Sequence, residues 1–183
     1  TWVITSFAVA NAISMPLTGW LTRRFGAVRL FTASIGLFTL ASWLCGLAPT
    51  IEALIFCRVL QGLVAGPMIP LSQTLLLQSY PPALSGTALA LWGMTVLVAP
   101  VVGPLLGGWV TDNIAWPWIF YINIPIGIAA LVVTSSVLRL PFTRRQHAID
   151  FLGSALLVAA VTCLLLVTVW GGSEYEWGSP TII

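Results

Sequence analysis

Five stretches of this chain carry no charged residue: 1–22, 30–51, 59–111, 113–138 and 151–173. An α-helix needs about 20 apolar residues to cross the hydrocarbon core of a bilayer. Four of the stretches suit one such helix each, and 59–111 is long enough for two. The segment Ser79-Tyr80-Pro81-Pro82-Ala83-Leu84-Ser85-Gly86 divides that longest stretch, because adjacent prolines remove backbone donors and fix φ. The pattern predicts six spans, over 1–21, 30–48, 52–78, 87–110, 118–138 and 151–170. Membrane strands would show segments of about ten residues with alternating polarity, whereas these runs are longer and do not alternate. Over such lengths in lipid, helices satisfy every backbone group internally.

Composition supports an all-α polytopic membrane protein. Of 183 residues, 58% are hydrophobic and 7% are charged, against about 25% charged in an ordinary soluble domain. So little charge cannot clothe a water-facing surface, and so much apolar content excludes disorder. The net charge of +2 and the lack of a basic run argue against nucleic acid as a partner. Cys45, Cys57 and Cys163 have no metal-ligand spacing with His147 and read as small hydrophobes packed between helices. The chain opens on Thr1 without an initiator Met, which points to an internal segment of a longer protein.

Orientation follows from arginine. Arg23, Arg24 and Arg29 fall in the first connection and Arg139, Arg144 and Arg145 in the fifth. The intervening even connections hold acids instead, at Glu52, Asp112, Glu174 and Glu176. The positive-inside rule makes the arginine side cytoplasmic. Trp2, Trp20, Trp109, Trp116, Trp118, Trp170 and Trp177 then lie near span ends as an interfacial belt. Cysteines introduced at Asn113 and Ser173 are expected to react with an impermeant thiol reagent from outside, and one at Gln146 only after permeabilisation. The opposite labelling pattern would invert the topology.

Three segments depart from a bland lipid-facing composition. Arg58 is a charge within a span, which costs at least about 2.5 kcal/mol on insertion scales. It must face a cavity or a polar partner, or else snorkel toward the nearby outer interface. Gln61 and Gly62 follow one turn on, and Gly66 one turn further. The Gly62–Gly66 spacing lets a neighbouring backbone approach closely. Arg58, Gln61 and Gly62 together suit a transport pathway. In the span 87–110, Ala99, Gly103 and Gly107 recur every four residues and share a face. Pro100 and Pro104 remove helix hydrogen bonds there and predict a kink, so this face reads as a hinge or sliding surface, or else as a static packing seam. The first connection, Gly19-Trp20-Leu21-Thr22-Arg23-Arg24-Phe25-Gly26-Ala27-Val28-Arg29, is short and basic, with Gly26 supplying a tight turn. Asn11, Gln73 and Asn123 read as interhelical hydrogen-bonding residues. His147 reads as a solvated loop residue. No catalytic constellation, metal cluster or phosphate-binding loop is present in the sequence.

Gly19 to Arg29, Arg58-Val59-Leu60-Gln61-Gly62 and Ala99-Pro100-Val101-Val102-Gly103-Pro104-Leu105-Leu106-Gly107-Gly108 occur in the order of three motifs of the major facilitator superfamily, which the chain resembles. Trp116-Pro117-Trp118-Ile119-Phe120-Tyr121-Ile122-Asn123-Ile124-Pro125-Ile126-Gly127 is further similar to the fourteen-span drug:proton antiporters of that superfamily. Arg23, Ala27 and Val28 depart from the usual charges of the first motif. The resemblance implies that residues 1–138 form helices 2–6 of an N-terminal transporter bundle. It makes 139–150 a cytoplasmic linker, 151–170 the first extra central helix, and 171–183 a periplasmic loop with the start of the next helix. It implies a non-enzymatic, proton-driven multidrug exporter of the cell inner membrane, working by alternating access on hydrophobic drug-like molecules. No cofactor is implied beyond the proton gradient. A periplasmic adaptor of the EmrA type and an outer-membrane channel of the TolC type are the implied partners. The resemblance carries proton coupling onto Arg58 and a leak-limiting conformational role onto Gly103, Pro104, Gly107 and Gly108. It places Gly19, Arg24 and Gly26 in a cytoplasmic gate. A metabolite or sugar carrier, or a non-transporting sensor subunit of the same fold, are the alternatives.

Overall fold

A computed structural model describes residues 2–138, 151–171 and 178–179. The linker 139–150 and most of 171–183 therefore lie outside the described residues, as do His147, Trp177 and the acids Glu174 and Glu176. In order, the helices are α1 (Trp2–Ser14), α2 (Thr18–Phe25), α3 (Ala27–Gly46), α4 (Ile51–Ala65), α5 (Met68–Ser79), α6 (Ser85–Asn113), α7 (Trp118–Tyr121), α8 (Asn123–Val137) and α9 (Phe151–Trp170). Short 3-10 turns at Met15–Leu17 and Pro82–Leu84 precede α2 and α6. Taken as continuous runs, Trp2–Phe25, Ala27–Gly46, Ile51–Ser79, Pro82–Asn113 and Trp118–Val137 are long and apolar enough to cross a membrane. These five runs overlap the first five expected spans, and α9 occupies the residues of the sixth, with a shorter apolar stretch at Ala155–Thr168 among its described residues.

Local chemistry sets the boundaries. Thr50 is extended and its hydroxyl accepts from the Ala53 backbone N–H at 3.3 Å, capping α4. Glu52 in the first turn suits the positive end of the helix dipole. Gly26 separates α2 from α3 with φ 89° and ψ 144°, a conformation that disfavours any side chain. Helix thus runs almost through the first connection, further than the expected end of the first span near residue 21. Three expected spans are also interrupted rather than smooth. Breaks fall at Met15–Leu17, at Gly66-Pro67 and at Ile122, each beside or just before Pro16, Pro67 or Pro125, whose missing N–H cannot close a helical bond. By contrast, α6 continues unbroken across Pro100 and Pro104.

Small residues and short polar side chains make the packing. α1 lies most extensively against α4, and α3 packs against α4 on one side and α8 on the other. Gly62 faces the backbone of Phe7 and Asn11, and Gly66 faces Asn11 and Ser14. Gly127 of α8 sits against Thr39 of α3, and Gly46 against the Tyr121 ring. Ala10, Ile35, Ala41, Cys45, Ala65 and Leu71 are buried at these crossings. This is how helices associate where lipid removes the hydrophobic drive between them. Elsewhere the apolar surface is bare: Leu97, Val101 and Leu105 of α6 are 72%, 75% and 76% exposed. Such a ridge would promote association in water and is at home against acyl chains or a further helix. Trp2 meets Trp170 edge-on at 6.0 Å, so the start of α1 and the end of α9 share one end of the bundle, as the expected topology requires.

Candidate functional site

Arg58 lies on α4 about 10 Å from its start at Ile51, at 1.5 Å per residue. Its side chain does not stand free. Nε donates to the Val3 carbonyl of α1 at 3.3 Å, and Nη1 donates to Gln61 Oε1 at 2.8 Å. The guanidinium carbon sits 4.8 Å from the centre of the Phe7 ring and 5.3 Å from that of Phe120. Aromatic faces attract a cation, more strongly where water is excluded. Three helices therefore hold the guanidinium: α1 through Val3 and Phe7, α4 through Gln61, and α7 through Phe120. Val3 lies near the start of α1 and Phe120 in the four-residue α7, so these partners hold a half-buried guanidinium toward the end of the bundle where α1 and α4 begin.

The polar chain continues inward. Gln61 is 1% exposed, and its Nε2 donates to Ser42 Oγ of α3 at 2.6 Å. The Cys45 thiol donates to Gln61 Oε1 at 3.8 Å. Ser42 and Cys45 are both fully buried. Every polar atom of the Gln61 side chain is thereby engaged, as burial demands. Gly62 stands beside this cluster and allows α1 to come close enough for the Val3 carbonyl and Phe7 ring to reach Arg58.

Arg58, Gln61 and Gly62 are thus brought together, as their spacing on one helix suggested. Sequence reasoning missed the groups that α1, α3 and α7 contribute, namely Val3, Phe7, Ser42, Cys45 and Phe120. Ser42 carries a weak signal as a hydroxyl in the middle of an apolar stretch. The two Phe carry none, since they are indistinguishable from lipid-facing residues by composition. Cys45 is packed between helices as expected, Cys57 is half-buried, and Cys163 is exposed instead, on a face of α9 with no helix against it among the described residues. Asn11 also departs from expectation, because its Oδ1 is buried without a hydrogen-bond partner.

The glycine face of α6 is a separate feature. An added Cβ at Gly103, Gly107 or Gly108 would meet nothing within 4 Å. Ala99, Gly103 and Gly107 line a groove of about 490 Å³ whose other wall includes Ile122, Asn123 and Ile126. The close seam expected there is not closed by any described residue, whereas the Gly62–Gly66 seam is. At the opposite end from Arg58, Gly19 lies 3.8 Å from Arg23 Nη2, counted from its ideal Cβ position. Arg24 covers the Trp20 ring at 5.3 Å and the Phe25 ring at 5.7 Å. Gly19, Arg24 and Gly26 therefore occupy one short basic corner, distant along the helices from Arg58.

Helices of membrane-spanning length, packed through small residues and around the half-buried Arg58, define a polytopic α-helical membrane protein. The chain belongs to the Major Facilitator Superfamily, whose profile matches residues 1–172. It is 56% identical to the multidrug export protein EmrB of Haemophilus influenzae over 178 residues, 97% of this chain and 35% of that protein. It is 52% identical to the fatty acid resistance protein FarB of Neisseria gonorrhoeae over 178 residues, again 97% of this chain and 35% of that protein. The chain thus spans about a third of the length of these relatives. The fold resembles a crystal structure of the peptide transporter POT in complex with alafosfalin, with a TM-score of 0.70 and 17% identity, covering 94% of this chain and 38% of that one.

Proposed function

We propose that this chain is part of an inner-membrane exporter that exchanges protons for hydrophobic drug-like molecules by alternating access. The observation that carries this reading is the 56% identity to a multidrug export protein over nearly the whole chain. In this reading Arg58, Gln61 and Gly62 belong to the proton-coupling and substrate pathway. A guanidinium does not release its proton at any physiological pH. Its contribution is a fixed positive charge that favours the ionised form of a carboxylate approaching within about 4–6 Å. The partners of Arg58 described above are all neutral, so its charge stays available to such a group or to an anionic part of a substrate.

Gly103, Pro104, Gly107 and Gly108 supply the conformational seam of the antiporter in the same reading, and Gly19, Arg24 and Gly26 the cytoplasmic gate. A periplasmic adaptor of the EmrA type and an outer-membrane channel of the TolC type are the proposed partners. Leu at Gly103 or Gly107 finds open space within this bundle. Either variant is expected to insert at wild-type level yet lose transport, because the seam would close on a part of the complete transporter beyond these helices. Full activity in both variants would remove the seam from the mechanism.

The functional reading is tested in everted vesicles carrying the complete transporter, by recording proton release from the vesicle lumen when a hydrophobic cation is added. Drug-dependent release supports antiport. No release across a panel of hydrophobic drugs would overturn it and favour a carrier of another solute.

A further inference from the structure

We propose that Ser42 is a positioning residue for Arg58, acting through Gln61, an inference that rests on the transport reading only for its effect on rate. Hydroxyl residues inside these helices mostly bond back to their own helix. Thr32 donates to the Val28 carbonyl at 2.9 Å, and Thr39 to the Ile35 carbonyl at 2.8 Å. Ser42 instead offers its oxygen across the helix interface and accepts from Gln61 Nε2 at 2.6 Å. The guanidinium settles which way the amide points, because it can only donate whereas a hydroxyl can donate or accept. Oε1 therefore receives Arg58 Nη1 at 2.8 Å, and Nε2 is left to Ser42, whose oxygen anchors that end of the amide to α3. The Cys45 thiol approaches the same oxygen and adds a second donor there.

Gln is among the side chains with most rotamer freedom to lose on burial. Anchored at both ends, it becomes a rigid strut between α3 and the guanidinium. Without the Ser42 oxygen, Nε2 is a buried donor with no acceptor. The amide then turns or withdraws to find one, and Arg58 loses its fixed acceptor. Ser42 touches neither Arg58 nor any substrate in this scheme. It sets where the charge stands and thereby ties the position of α3 to the charge on α4.

The test uses the complete transporter in everted vesicles, a hydrophobic cation as probe, and Ser42→Ala, Ser42→Thr and Arg58→Ala at matched membrane level. Ser42→Ala is expected to lower the maximal rate of drug-driven proton release about tenfold, with KM for the drug within about twofold of wild type. Ser42→Thr, which keeps the oxygen, is expected to restore the rate. Modification of Arg58 by phenylglyoxal, followed by peptide mass, gives a readout independent of transport. It is expected to run about fivefold faster in Ser42→Ala, where a charged hydrogen bond is lost, and near the wild-type rate in Ser42→Thr. Unchanged modification in Ser42→Ala overturns the inference, and so do equal defects in the Ala and Thr variants. Faster modification combined with normal transport by Arg58→Ala would sustain the positioning of Arg58 while overturning its part in coupling. Should Ser42→Ala fail to insert, Ser42→Cys, which keeps the size and replaces the oxygen by a weak acceptor, decides the matter by the same phenylglyoxal criterion.

Discussion

Arg58→Ala is expected to cut drug-driven proton release about a hundredfold or more while leaving the protein in the membrane at near wild-type level. Two opposed sets of energies explain why insertion survives. The substitution takes one charged donor from the Val3 carbonyl and one from Gln61 Oε1, at about 1.5–3 kcal/mol for each hydrogen bond to a charged group, although Ser6 Oγ still donates to the first and the Cys45 thiol to the second. It also removes a charge whose burial in the bilayer costs at least about 2.5 kcal/mol. These terms nearly cancel. Transport has no such compensation, because a neutral methyl cannot supply a positive field at the junction of α1, α4 and α7. A hundredfold loss corresponds to about 2.7 kcal/mol, within the range of one hydrogen bond to a charged group. Arg58→Lys is expected to recover only part of the rate. An ammonium keeps the charge but lacks the planar fork that serves Val3 and Gln61 together while lying over two rings. Initial rates with a pH-sensitive dye, normalised to membrane content, decide the point. A wild-type rate in Arg58→Ala would remove this residue from coupling.

Gly62→Val is expected to destabilise the fold strongly. An ideal Cβ at position 62 would stand 2.9 Å from Ala10 Cβ and 3.2 Å from the Asn11 backbone nitrogen, and closer still to the Phe7 carbonyl oxygen. Two of those neighbours are backbone, which cannot rotate away, so α1 must retreat from α4. Overpacking costs about 1–3 kcal/mol for an ordinary core site. Valine adds two methyl groups beyond the Cβ, so a cost of about 3 kcal/mol or more is expected, roughly a hundredfold in the folded-to-unfolded ratio. Lipid exerts no hydrophobic pressure to push the helices back together. The retreat would also carry Val3 and Phe7 away from Arg58, so transport falls with stability. Gly93→Val is the matched control, since nothing lies within 4 Å of a Cβ there. Heat inactivation in detergent, followed by size-exclusion chromatography, should separate the two variants clearly. Equal stability would show that α1 and α4 are not in close contact in the membrane.

Much of the fold is legible from charge alone, because an ionised side chain inside a bilayer is too costly to occur without a purpose. The helical runs follow the charge-free stretches closely, and the Pro-Pro turn ends one helix and precedes another where expected. The breaks beside Pro16, Pro67 and Pro125 were less legible. All three prolines lie in uniformly apolar text, and only the surrounding packing decides whether a missing N–H interrupts a helix or, as at Pro100 and Pro104, leaves it continuous. Glycine spacing had the same ambiguity. The Gly62–Gly66 pair and the Ala99–Gly103–Gly107 series look alike as patterns. One is filled by the backbone of α1, and the other borders an open groove.

Sequence by itself determined that this chain spans a membrane as helices, which side of each connection carries arginine, and that Arg58 is the one charge needing an explanation. Those conclusions rest on the energy of single groups in hydrocarbon, a property that each residue brings with it. The tertiary structure alone decided what answers that charge: a carbonyl from α1, a glutamine locked by a serine of α3, and two phenylalanine faces from α1 and α7. Such an answer depends on helices distant in sequence meeting at hydrogen-bonding distance. Phe7 and Ser42 look like ordinary residues of apolar helices until packing places one over the guanidinium and the other against the amide that holds it.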